Sequence, residues 1–129
     1  MPRRARSSLL ALAIAALGLG TGACGEQGIQ LAKSDPNYEG AKIFQQSCSG
    51  CHTITAAGTQ GSATDPNGRE YVDGPNFDTR KEDVDQVLYA IRNGGFSSGP
   101  MPQDIVVGEQ AQKVAEFVAE NSGGDAAGG

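Results

Sequence analysis

Cys48-Ser49-Gly50-Cys51-His52 is the stretch that decides how this chain of 129 residues is read. It has the form C-x-x-C-H, the attachment signature of a c-type haem. Two thiols one helical turn apart can add to the two vinyl groups of one haem, and the imidazole on the next residue is then held under the iron as its proximal ligand. A zinc site would need four nitrogen or sulfur ligands, and the chain offers one further Cys, Cys24, and no further His. A thioredoxin-like motif would sit in a βαβ pattern, which the sequence lacks. Cys48 and Cys51 are therefore read as covalent anchors of haem c, one per chain, and His52 as an iron ligand.

The rest of the inventory narrows the site. With 129 residues the chain builds one small domain, whose modest core a covalently held haem would staple. His52 is the only His, so a second histidine ligand from this chain is impossible. The two Met are Met1 and Met101, and Met1 belongs to a leader. Met101 lies in Gly99-Pro100-Met101-Pro102, where the prolines fix φ and hold the preceding residues extended. Such a loop could keep the thioether over the open face of the iron, favouring the reduced state and suiting electron transfer. The alternative is an ordinary packing role for Met101.

Residues 1–23 read as a secretory leader. Arg3, Arg4 and Arg6 precede an apolar run from Leu9 to Gly20, which is too short to span a bilayer. Thr21-Gly22-Ala23-Cys24 then resembles a bacterial lipobox, with Thr21 where Leu is most frequent. Cys24 is either lipidated or a free thiol on a cleaved, exported chain. Residues 24–36 look like a flexible tether, in which about ten residues reach on the order of 20 Å. The leader takes three of the ten Lys and Arg and none of the fifteen Asp and Glu, leaving seven against fifteen, a net −8. Nucleic acid and anionic lipid surfaces are disfavoured by that charge, which also serves solubility.

The domain itself is expected over residues 37–122, and its pattern is helical. A first helix starts near Asp35-Pro36 and carries Tyr38, Ala41 and Phe44 on one face. Residues 53–76 show no sustained period and read as loop, with Asp65-Pro66-Asn67-Gly68 as a turn. Thr79-Arg80-Lys81-Glu82 fits a capping box, followed by Val84, Val87, Leu88 and Ile91 at helical spacing and Gly94 as the C-cap. A last helix spans 109–121, with Ala111, Val114, Ala115 and Val118 in register and Phe117 beside them. Residues 123–129 are low-complexity and expected to be disordered. No strand is expected.

Helix, C-x-x-C-H, loop, Gly74-Pro75-Asn76-Phe77, helix, Met loop, helix: this order resembles the small monohaem class I cytochromes c, over residues 37–121. The resemblance implies an all-α cytochrome c fold, about three main helices with long loops wrapped around one covalently bound haem. It implies that Gly40 and Phe44 pack against Phe117 where the first and last helices cross. It also implies that the Pro75 carbonyl accepts a hydrogen bond from His52 Nδ1–H, which leaves Nε2 for iron. The chain departs from the family's pattern in its longer loop between His52 and Pro75, in lacking Trp and in lacking a lysine ring. Tyr71, Tyr89 and Arg80 are candidates for the missing Trp's role near a propionate.

Function follows as an expectation. The leading reading is a one-electron carrier rather than an enzyme, with haem held by Cys48, Cys51, His52, Met101 and Pro75. By resemblance its partners would be a quinol–cytochrome c reductase, a terminal oxidase or a dehydrogenase. It would be a monomer, exported to the periplasm or the outer face of the cytoplasmic membrane, and tied to that membrane by a lipid on Cys24. The low-charge loops 56–62 and 94–99 are expected to surround the haem edge. Two other readings stand beside it: a haem enzyme or gas sensor, which would need Met101 off the iron, and an immobile subunit of a membrane oxidoreductase.

Overall fold

A computed structural model describes residues 28–63 and 65–124. The leader 1–23, Cys24 and residues 125–129 lie outside the described residues. Three helices build the domain: α1, Tyr38–Ser47; α2, Val84–Asn93; and α3, Gly108–Asn121. None is long and apolar enough to cross a membrane among the described residues.

The third helix packs against both others, so it is the spine on which α1 and α2 are set. It meets α1 where side chains are smallest. A Cβ on Gly40 would fall on the Lys113 carbonyl and 2.7 Å from Phe117 Cβ, so only glycine allows this approach. Phe44, one turn further along α1, then reaches Phe117 at 5.7 Å between ring centroids in a tilted edge contact. Phe44 and Phe117 are almost wholly buried, and each such ring contributes about 1.5–3 kcal/mol relative to exposure. Ile91 of α2 and Val114 and Val118 of α3 continue the same core.

The helix ends differ from the sequence expectation in instructive ways. Asp35 and Pro36 form a turn ahead of α1 rather than its first turn: Asn37 N–H donates to Asp35 Oδ1 and Tyr38 N–H to the Asp35 carbonyl. The capping box of α2 is built on Asp83, not Thr79. Gln86 N–H donates to Asp83 Oδ1 at 2.8 Å, and Asp83 N–H donates back to Gln86 Oε1 at 2.9 Å. Thr79 instead donates its hydroxyl to the Asn76 carbonyl. At the other end, Gly94 takes φ 71° and Gly95 N–H donates to the Ala90 carbonyl, the expected glycine stop.

Three further expectations are corrected. Residues 53–60 contain a small hairpin, β1 (Thr53–Ile54) paired antiparallel with β2 (Thr59–Gln60). Side chains hold it where two-residue strands alone would not: Ser62 Oγ accepts from Thr53 N–H, and Thr59 Oγ1 accepts from Ile54 N–H. Loop 56–62 is therefore interior, with Ala57, Thr59 and Ser62 buried. The stretch read as a tether does not hang free over its described part. Ile29 and Leu31 pack on the core, and Gln30 N–H donates to the Ala56 carbonyl. At the far end Gly123 N–H donates to the Phe77 carbonyl.

Candidate haem site

The end of α1 delivers the C-x-x-C-H residues as a compact turn. Cys48 N–H caps the helix on the Phe44 carbonyl at 2.8 Å, and the Cys48 carbonyl then accepts from both Cys51 N–H and His52 N–H. The segment 74–77 lies alongside this turn. Gly74 N–H donates to the Cys51 carbonyl at 2.7 Å, Phe77 N–H donates to the Thr53 carbonyl at 2.9 Å, and Thr53 bridges Asn76 in parallel. This zipper places the Pro75 carbonyl 3.1 Å from His52 Nδ1. With the proton on Nδ1 donated there, Nε2 carries the free lone pair.

Aromatic rings flank the imidazole as well. Phe77 stacks on it at 4.9 Å and 12°, and Phe44 lies 6.2 Å away, tilted by 57°. A Cβ on Gly74 would occupy the ring itself. A Cβ on Gly61 would strike the Ser49 carbonyl and the Cys51 N–H, so the β2 end closes on the motif from behind. Burial lowers the His52 pKa, only partly countered by the Pro75 hydrogen bond, and so keeps the ring neutral, the form that ligates metal. Burial, and then the charge of Cys51, push the Cys48 thiol up to about 12. Both thiols are free and half-buried.

Cys48, Cys51 and His52 open onto one cavity of about 480 Å³, a volume in the range of cofactor sites. Met101 lines the same cavity beside Gly95, where a Cβ would meet Met101 Sδ in ordinary contact at 3.9 Å. The remaining wall is largely apolar, with Phe77, Val87, Ile91, Val114 and Val118. Among the described residues no three His, Cys, Asp or Glu side chains gather as a site for a bare metal ion. Two thiols, a neutral imidazole and a thioether around an apolar slot fit a haem attached through its vinyl groups.

Several lining residues escaped the sequence. Phe77 departs from the Leu of the family's Gly-Pro-Asn-Leu, and that change supplies the ring that stacks on His52. Arg69 lines the cavity with Arg80 and Tyr71, whereas Tyr89 does not: it stacks on Phe96 at 5.1 Å. Loop 94–99 reaches the cavity through Gly94, Gly95, Phe96, Ser97 and Gly99, but no residue of 56–62 does. Exposed Tyr71 and Val72 take that place instead.

Comparison with known proteins agrees with this geometry. The family model for cytochrome c matches residues 38–122. Among solved structures, the c-type cytochrome SorU from Sinorhizobium meliloti is 32% identical, with a TM-score of 0.53 over 70% of this chain and 94% of that one. No curated protein matches the chain. An all-α domain with this helix order, this cavity and this family match belongs to the cytochrome c family, and it carries covalently bound haem c for electron transfer.

Proposed function

We propose that the protein is a one-electron carrier, not a catalyst, with haem c attached through Cys48 and Cys51 and its iron held between His52 and Met101. The observation that carries this reading is the shared cavity: all four side chains line it, and the Pro75 carbonyl aims His52 Nε2 away from the zipper. Haem c supplies the iron whose charge changes by one electron. His52 donates a neutral imidazole, and Met101 a thioether that raises the potential. Were His52 and Met101 both to hold the iron, no position on it would be left for a substrate. The apolar wall keeps water from the iron, and the exposed side chains of Tyr71, Val72, Phe96 and Ile105, which also line the cavity, form the mouth at which a redox partner docks.

The partner is a membrane redox complex on the exported side: a quinol–cytochrome c reductase, a terminal oxidase or a dehydrogenase. The leader 1–23 directs export, and a lipid on Cys24 keeps the monomeric domain at that membrane. The visible spectrum of the haem-loaded protein tests the site. A methionine–iron charge-transfer band in the oxidised form, and no response of the reduced form to carbon monoxide, is the expected result. A reduced spectrum that shifts with carbon monoxide would mean an open iron, and would move catalysis or gas sensing ahead of electron carriage.

A further inference from the structure

We infer that Glu82, a carboxylate buried on the wall of the haem cavity, sets the reduction potential of the haem against its partner Arg80. The inference rests on the reading that haem c occupies this cavity. Among the described residues Glu82 is the one buried charged side chain, 5% exposed. It is fixed from two sides. Its backbone N–H donates to Ser122 Oγ at 3.1 Å, at the end of α3, and its Oε1 lies 2.5 Å from Arg80 Nε. Its neighbours are otherwise engaged: Lys81 donates to the Ala119 carbonyl, and Asp83 caps α2. Glu82 and Arg80 both line the cavity.

The pair is asymmetric. The Arg80 side chain is 52% exposed and screened by water, whereas the Glu82 side chain is 5% exposed and is not. Their charges therefore cancel only in part at the haem, and the buried carboxylate dominates. A negative charge on the wall of the haem cavity stabilises the oxidised iron, which is more positive by one unit, and so lowers the potential. Stability does not explain the pair, since burying a charge costs roughly what its partner returns.

The test is Glu82→Gln in the full-length, haem-loaded protein. Covalent haem is first verified by haem staining after denaturing electrophoresis, and the midpoint potential is then measured by redox titration. Removing a unit charge from the cavity wall changes the one-electron equilibrium on the order of tenfold, an upward shift of about 59 mV. The shift should survive high salt, because a buried charge is poorly screened. Glu82→Asp, which keeps the charge, should hold the potential near that of the parent. A haem-loaded Gln variant with an unmoved or lowered potential overturns the inference, as does a shift that salt abolishes. Should that variant not accumulate, Arg80→Gln serves in its place: it unmasks the carboxylate and must lower the potential, and an upward or absent shift overturns the inference. A parent protein without covalent haem would instead refute the reading of the cavity itself.

Discussion

Gly40→Ala is the sharpest test of how the fold is closed. Two effects of opposite sign meet at this residue. Alanine in a helix is favoured over glycine by about 1 kcal/mol. Against that, the new methyl would fall on the Lys113 carbonyl, 2.7 Å from Phe117 Cβ and 3.0 Å from the Lys113 carbonyl carbon. Overpacking of this kind costs about 1–3 kcal/mol. The cost sits in the upper half of that range, because two of the three atoms met are main chain of α3 and cannot rotate away. Relief requires α1 and α3 to separate, which would loosen the Phe44–Phe117 contact behind His52. The net loss is then about 1–2 kcal/mol, and a domain of this size loses about 4–8 °C in Tm for each. Thermal unfolding of the haem-loaded protein, followed by far-UV circular dichroism, should show Tm lowered by about 4–16 °C. An Ala variant with an unchanged or raised Tm would refute the close crossing, since propensity would then have won.

Asp83→Ala should cost about 1 kcal/mol in denaturant unfolding, and Thr79→Ala should stay within about 0.5 kcal/mol; the reverse order would return the cap to Thr79. Met101→Ala should keep haem covalently attached, lower the midpoint potential and open the reduced iron to carbon monoxide, so an unchanged potential would exclude Met101 as a ligand. For His52 the lowered pKa means that the unfolded chain takes up its proton first, so stability is present above the ordinary 6.5 and falls as pH drops below it. The iron–imidazole absorption should accordingly persist through pH 6.5 and fail only under stronger acid; failure at or above 6.5 would contradict the burial of the ring. Cys24→Ser should release the protein from membranes into the soluble fraction, and unaltered membrane retention would defeat lipidation.

What could be read from the chain alone was what acts over a few residues or depends on scarcity. Cys48, Cys51 and His52 announce their chemistry by spacing, and Met101 stands out as the one methionine besides Met1. Helix faces and the Gly94 stop follow from local periodicity and from glycine's access to positive φ. The errors share a different cause. Thr79 and Asp83 both begin a plausible cap, each with an acid or amide three residues on, and nothing within four residues decides between them. The decision falls at Glu82, whose N–H donates to Ser122 Oγ, 40 residues away, and whose carboxylate pairs with Arg80, so the box at Thr79 loses its acid to the cavity wall. Low charge in 56–62 was ambiguous in the same way, because it suits both a docking surface and a buried loop. The hairpin hydrogen bonds of Thr53, Thr59 and Ser62 resolve it as buried, leaving Tyr71 and Val72 at the mouth. Polar contacts outside each local pattern thus chose between alternatives of similar energy, at Glu82 on the cavity wall and at the turn of Gly61 behind the C-x-x-C-H motif. A local rule that fails beside a cofactor is therefore a guide to function: the residue pulled out of its expected cap is the same residue whose charge the haem should feel.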